Sequence, residues 1–155
     1  MGYTVADVLL AGIVCVGAAV TAAERGRVLL VDDDAFTRRA TATAIERRLG
    51  LDVAVAQGAM EALTMLRKQE FDLLVLDIDM PEMGGLELLR RLEKLFPDLA
   101  VGVWSGSVSV GEISGGSVRF ALQKPDIERL LAALREVFGI ERSSGEIPLR
   151  GPKST

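Results

Sequence analysis

One aspartate, Asp77, stands out because of the apolar run before it and the turn after it. Leu73 to Leu76 form a continuous apolar run, which is typical of a strand buried on both faces of a parallel sheet. Open α/β sheets bind ligands beyond the carboxyl ends of their strands, and a carboxylate there can act as a nucleophile or hold a cation. Pro81 and Gly84-Gly85 predict a turn before the next helix. Taken alone, Asp77 is equally consistent with a loop carboxylate that caps a helix.

Three further polar groups follow other apolar runs: Asp32 with Asp33, then Ser105, then Lys124. Adjacent carboxylates repel one another unless a cation neutralises them, and hard cations such as Mg²⁺ prefer oxygen ligands. A phosphoryl group that enters an anionic site needs such a cation, a second positive charge and a hydrogen-bond donor for its oxygens. The set therefore predicts that Asp77 attacks phosphorus, with Mg²⁺ on Asp32 and Asp33. Lys124 would supply the charge and Ser105 the donor.

Each of these residues also has a structural explanation when it is taken singly. Aspartate is favoured at helix N-termini, and Asp34 is expected to cap the helix that begins at Ala35. Ser105 could be a turn residue and Lys124 a surface lysine. Their shared position at the ends of apolar runs favours the functional interpretation.

Hydrophobic periodicity predicts the elements that position these residues. Strands are predicted over 27–31, 51–56, 73–76, 99–104 and 119–123, and helices over 35–49, 59–69, 86–96 and 126–138. Glycine and serine are too frequent in 108–118 for a firm helix there. In the first helix, the apolar residues at helical spacing are expected on the inner face: Phe36, Ala40, Ala44, Ile45 and Leu49. Strands that alternate with helices indicate a doubly wound five-stranded parallel sheet, and right-handed crossovers bring four polar strand ends to one rim.

The composition excludes several classes of protein. The 155 residues suit one domain, predicted over 27–140, with a disordered polar tail over 141–155. Lys and Arg total 18 against 22 Asp and Glu and are scattered, so nucleic-acid binding is not expected. The single cysteine, Cys15, excludes an internal disulfide. The absence of histidine removes the usual general base, the commonest zinc ligand and any phosphohistidine relay within the chain.

The apolar N-terminal segment over 1–26 holds the one candidate for membrane contact. Residues 8–23 carry no charge, but this run of 16 residues is rich in Ala and Gly and falls short of the ~18 residues expected of a spanning helix. The alternatives are a helix that packs on the domain or on a partner, a membrane anchor, or an extension outside the working protein. Arg25 and Arg27 follow the run, so an anchor would leave the rest of the chain cytoplasmic. We therefore expect a cytoplasmic location, with or without a membrane tether.

From about Val28 to Phe138 the sequence resembles a receiver domain of the bacterial response regulators of two-component signalling. The likeness rests on Leu-Leu-Val-Asp32-Asp33, on Leu-Asp77-Ile-Asp79-Met-Pro81-Glu-Met-Gly84-Gly85, on Trp-Ser105-Gly and on Gln-Lys124-Pro125. The resemblance implies a flavodoxin-like (βα)5 fold with strand order 2-1-3-4-5. It implies that Asp77 is the phosphoacceptor, and that Mg²⁺ is held by Asp32, Asp33, Asp77 and the backbone carbonyl of Asp79. Ser105, in place of the commoner threonine, would shift towards the phosphoryl group, and Lys124 would pair with it.

The same resemblance implies partners. The phosphoryl donor would be a phosphohistidine on a sensor histidine kinase or on a histidine phosphotransfer protein. We expect a stand-alone receiver domain and not an enzyme with an external substrate. Its signal would leave through a downstream protein partner or a homodimer, or the domain would act as a phosphate sink in a relay. Its own reactions would be phosphorylation from the donor and autodephosphorylation.

The sequence departs from the family pattern at two positions near the predicted site. Ala121 stands where the family has a Tyr or Phe that works as a rotamer switch, although Phe120 lies beside it. Asp79 adds a negative side chain at a position that tunes dephosphorylation in the family. These departures, and the short Gly/Ser-rich segment after Ser105, leave open an interaction module that switches little.

A third hypothesis is a phosphatase of the haloacid dehalogenase type, because Asp77-Ile-Asp79 resembles its Asp-x-Asp motif. That family places the motif after its first strand and has Thr or Val where this chain has Pro81. Both differences count against the hypothesis.

Overall fold

Strands and helices alternate along the part of the chain that the structure, a computed structural model, describes: residues 25–81, 83–107, 113 and 115–141. The elements are β1 (Arg27–Val31), α1 (Ala35–Leu49), β2 (Asp52–Ala56), α2 (Ala59–Lys68), β3 (Leu73–Leu76), α3 (Gly85–Leu95), β4 (Ala100–Ser105), β5 (Val118–Gln123) and α4 (Ile127–Phe138). Their bounds lie within one residue of the predicted ones.

The strands form one parallel sheet in the order β2-β1-β3-β4-β5, which confirms the predicted fold. Helices α2 and α3 cover one face and helices α1 and α4 cover the other. The continuous apolar run of the central strand β3 follows from its burial on both faces of the sheet, because successive side chains of a strand point to opposite faces. Leu74 and Leu76 pack under α2 and α3, whereas Leu73 and Val75 pack under α1 and α4.

The helices next to the site begin where the sequence predicts. The Asp34 carboxylate accepts a hydrogen bond from the backbone N–H of Phe36 and so caps α1, and Asp126 caps α4 through the N–H of Arg129. Helix α1 ends at Leu49 and is capped by Gly50, whose φ of 68° lies in the left-handed region that glycine adopts without strain. These caps determine where the β1–α1 and β5–α4 loops enter their helices.

Two of the residues predicted for the inner face of α1, Phe36 and Ala40, are exposed instead. Ile45 and Leu49 are buried as expected, but Phe36 is 82% exposed. Phe36 lies in the first turn of α1, directly after the loop that carries Asp32, Asp33 and Asp34 (the acidic loop), and no element among the described residues covers it there. The inner face of this helix instead includes Thr41 and Ala42.

Strands β4 and β5 pack unusually closely at one pair of residues. The ring of Phe120 lies across Gly102, and a Cβ added at Gly102 would stand 2.1 Å from the ring. Phe120 packs with the core under α1 and α4. Ala121 is the next residue along the strand, so its side chain points to the opposite face. Phe120 therefore cannot occupy the place of the aromatic residue that the family has at position 121.

Three predictions fall on residues outside the described part of the chain. They concern the segment over 1–24 with its run 8–23, the weak helical pattern over 108–112 with 114, and the tail over 142–155. Within residues 25–81, 83–107 and 115–141, no helix is long and apolar enough to cross a membrane.

Candidate functional site

The parallel sheet brings the predicted site residues to one edge. Asp32 follows β1, Asp77 follows β3, Ser105 ends β4 and Lys124 follows β5. Asp32, Asp77 and Ser105 are buried, whereas Asp33 is exposed on the solvent side of the edge. Buried polar groups are costly unless they are hydrogen-bonded or paired, so the contacts of these side chains decide what the site can do.

Lys124 bridges two of the buried carboxylates. Its Nζ lies 2.6 Å from Oδ2 of Asp32 and 3.0 Å from Oδ2 of Asp77. Burial alone would lower the pKa of Lys124, but the hydrogen bonds and charges of the two aspartates outweigh it and raise this pKa above its ordinary value. The ammonium also lies 5.2 Å from the ring centroid of the buried Trp104. The lysine is thus held as a cation at the centre of the site.

Three carboxylates lie close enough to share a cation. Asp32, Asp33 and Asp77 each offer an oxygen, and these oxygens lie within 4.8 Å of one another. An all-oxygen set with one member open to solvent fits a hard divalent ion, which keeps part of its water shell. The residues present therefore fit the predicted Mg²⁺.

Arg38 holds the backbone of the acidic loop through hydrogen bonds to its carbonyl groups. Its Nη1 lies 2.7 Å from the carbonyl oxygen of Asp32 and 3.4 Å from that of Asp33. The N–H of Asp34 donates to Oδ1 of Asp32 at 2.9 Å. The half-buried Arg38 side chain thus turns back from α1 over the loop.

The hydroxyl of Ser105 lies between two carboxylates. Its Oγ is 2.9 Å from Oδ1 of Asp77 and 2.7 Å from Oδ2 of Asp79. Asp79 also accepts hydrogen bonds from the backbone N–H of Ser107, at 3.0 Å, and from the Ser107 hydroxyl. The hydrogen bonds from Ser107 and Ser105 lower the pKa of Asp79. Sequence reasoning missed Ser107, because a serine two residues beyond a strand carries no signal of its own.

Gly85 explains why the motif after Asp77 needs a glycine. A Cβ at Gly85 would lie 2.6 Å from the carbonyl oxygen of Asp77 and 2.5 Å from Cα of Ile78. Any larger residue would push α3 away from the end of β3. The N–H of Gly85 donates to the carbonyl oxygen of Ile78 at 3.2 Å, which closes the turn that carries Asp77.

A family model for the response regulator receiver domain matches residues 28–135. The chain belongs to this family. The predicted resemblance is confirmed, and this receiver domain has the five-stranded parallel sheet that its sequence indicated.

Relatives of this receiver domain agree with the assignment. The chain is 37% identical over 135 residues to the response regulator MprA of Mycobacterium sp. strain KMS, over 83% of this chain and 55% of that protein. It is 38% identical over 105 residues to protein-glutamate methylesterase/protein-glutamine glutaminase 3 of Rhodospirillum rubrum, over 64% of this chain and 28% of that protein. The chain thus spans about half the length of the first relative and less of the second.

A solved structure shows the same fold. The CheY-like response regulator receiver domain protein from Methanospirillum hungatei JF-1 superposes with a TM-score of 0.64 at 30% identity, over 72% of this chain and 92% of that chain. The chain is therefore a signalling domain of the receiver type.

Proposed function

We propose that this receiver domain accepts a phosphoryl group on Asp77 and passes on a signal by a change of conformation. The observation that carries the proposal is the environment of Asp77, a buried carboxylate with the Lys124 ammonium on one oxygen and the Ser105 hydroxyl on the other. The proposed donor is a phosphohistidine on a sensor histidine kinase or on a histidine phosphotransfer protein, and the proposed receiver of the signal is a downstream protein or a second copy.

The transfer balances as a simple displacement. A carboxylate oxygen of Asp77 attacks phosphorus, and the bond between phosphorus and the imidazole nitrogen of the donor breaks. The imidazole leaves with the electron pair of that bond and takes up a proton from water. Dephosphorylation ends the signal: water attacks phosphorus, the bond from phosphorus to the Asp77 oxygen breaks, and inorganic phosphate leaves.

The neighbouring residues have separate roles in this proposal. Lys124 balances charge on the transferred phosphoryl oxygens, and Ser105 donates its proton to one of them. Asp32 and Asp33, together with Asp77 and the backbone carbonyl of Asp79, would hold Mg²⁺. A bound Mg²⁺ supplies charge neutralisation for an anion that approaches an anionic site. Arg38 keeps the Asp32 and Asp33 backbone in place through its carbonyl contacts.

The test is phosphorylation of the purified chain. The protein is incubated with Mg²⁺ and a small phosphodonor such as acetyl phosphate, and intact mass spectrometry counts added phosphoryl groups. We expect one group that is stable in acid and lost in base, and no group in Asp77→Asn. Asp98→Asn removes an exposed aspartate away from the site and serves as the matched control. Equal phosphorylation of Asp77→Asn would refute the proposal.

A second candidate is an interaction module with this fold and little switching. The observation behind it is the pair Phe120 and Ala121, because the aromatic ring lies on the opposite face from the family's switch position. Nuclear magnetic resonance of the chain with Mg²⁺, before and after beryllium fluoride, separates the two candidates. Chemical shift changes that reach β5 favour a working switch, whereas changes confined to Asp77, Ser105 and Lys124 favour the interaction module.

A further inference from the structure

The Ser105 hydroxyl has fewer protons than it has acceptors. It carries one proton, yet carboxylate oxygens of both Asp77 and Asp79 lie within hydrogen-bond distance of its Oγ. The contact with Asp79 is the shorter one, at 2.7 Å against 2.9 Å. The hydroxyl can donate to only one of the two carboxylates at a time, so the two compete for it.

Hydrogen bonds from Ser107 hold the Asp79 carboxylate beside Ser105. Both of its carboxylate oxygens accept from Ser107, one from the backbone N–H at 3.0 Å and the other from the side-chain hydroxyl. The Asp79 backbone N–H in turn donates to Oδ1 of Asp77 at 3.0 Å. The Asp79 carboxylate therefore has a defined position beside Ser105 and is not a freely moving surface charge.

We propose that Asp79 is a positioning residue that keeps the Ser105 proton away from Asp77 until a phosphoryl group takes it over. This inference rests on the proposed phosphorylation of Asp77, because the phosphoryl oxygens are the acceptors that would claim the proton. Asp79 raises the free energy of the phosphorylated state by the hydrogen bond that Ser105 must give up. Its carboxylate acts through Ser105, whereas its backbone N–H contacts Asp77 directly and is kept when the side chain is substituted.

Asp79→Asn replaces the carboxylate that competes for the Ser105 proton with an amide of nearly the same shape. An amide can donate its N–H to the Ser105 oxygen, which leaves the hydroxyl proton directed towards Asp77. We expect this variant to bind beryllium fluoride, a mimic of the phosphoryl group, about tenfold more tightly in the presence of Mg²⁺, since hydrogen bonds to charged groups are among the stronger ones in proteins. Titration of the full chain, followed by the ¹⁹F resonance of bound fluoride, measures this affinity directly.

Three further substitutions test whether Asp79 competes for a proton or acts through charge repulsion. In a Ser105→Ala background, the hydroxyl is gone and Asp79→Asn should change the affinity by less than about twofold. Asp34→Asn removes an equal charge close to the site and keeps an N-cap for α1, so it should also change the affinity by less than about twofold. Ser107→Ala loosens the anchor of Asp79 and should give a smaller gain than Asp79→Asn, in the same direction.

The outcomes separate this inference from the proposed function. An equal gain with and without the Ser105 hydroxyl, or an equal gain from Asp34→Asn, would mean that Asp79 acts through its charge and would overturn the inference. Unchanged affinity in Asp79→Asn would overturn it as well, with the phosphorylation of Asp77 still standing. If neither the unaltered chain nor any variant binds beryllium fluoride with Mg²⁺, the proposed function itself fails, and this inference fails with it.

Discussion

Removal of the Lys124 ammonium should destabilise the protein in a way that a divalent cation corrects. Asp32 and Asp77 are 1% and 6% exposed, and Lys124 is their shared counter-charge. Breaking a buried ion pair by removing one partner typically costs ~3–5 kcal/mol. The lysine side chain is 18% exposed and the acidic cluster opens to solvent at Asp33, so we expect Lys124→Met to cost about 2–4 kcal/mol at neutral pH without divalent ions.

Mg²⁺ should reduce this loss, because it would replace the missing positive charge. A ligand present at a hundred times its dissociation constant stabilises the folded state by about 2.7 kcal/mol, and the variant site should bind Mg²⁺ more tightly than the unaltered one. Urea unfolding of both proteins, with chelator and with saturating Mg²⁺, measures the effect. Lys94→Met removes an exposed lysine from the last turn of α3 and should change stability by less than ~0.5 kcal/mol. An equal loss with and without Mg²⁺ would refute the reasoning.

Three further predictions concern the scaffold. Gly102→Ala should cost about 1–3 kcal/mol, because the new methyl group meets the ring of Phe120; thermal unfolding should show a smaller cost in a Phe120→Ala background. Leu130→Ala empties a fully buried position of α4 and should cost ~2–5 kcal/mol in urea unfolding. The hydrogen bond from Arg48 lowers the pKa of Glu128, so this carboxylate stabilises the fold above its unfolded pKa, and the contribution is lost as pH falls through the folded pKa. Glu128→Gln should therefore cost less than about 1 kcal/mol at pH 7, since the pair is solvent-screened, and progressively less as the pH is lowered; a cost that does not shrink on acidification would contradict this.

The strands and helices of this fold can be predicted from the sequence because each is determined by residues that are close together in the chain. A run such as Leu73 to Leu76 suits only a strand that is covered on both faces, and the structure buries every residue of it. Asp34 and Asp126 act as caps within their own turns. The placement of the polar strand ends at one edge follows from the parallel sheet, without knowledge of any side-chain contact.

The contacts between side chains could not be predicted in the same way. Asp79 contacts Ser105 and Ser107, which lie 26 and 28 residues later in the sequence. Because β3 and β4 are neighbours, the segments that follow them are expected to be close. Which oxygen faces which hydroxyl depends on the turn geometry and the side-chain rotamers. Phe36 was misplaced for a related reason: helical spacing gives the face of a residue, whereas its burial depends on whether any element extends over that turn.

The contact between Lys124 and Trp104 gives the protein an internal optical reporter. Trp104 is the only tryptophan in the chain, so its emission is free of overlap from other indoles. Its indole N–H has no hydrogen-bond partner within the described residues, and its ring stands 5.2 Å from an ammonium whose position depends on the charges of Asp32 and Asp77. Any event that draws the ammonium away from the ring will change the intensity of this emission. Events at the acidic edge can therefore be followed in real time, in unlabelled protein, from a residue that lies in the core.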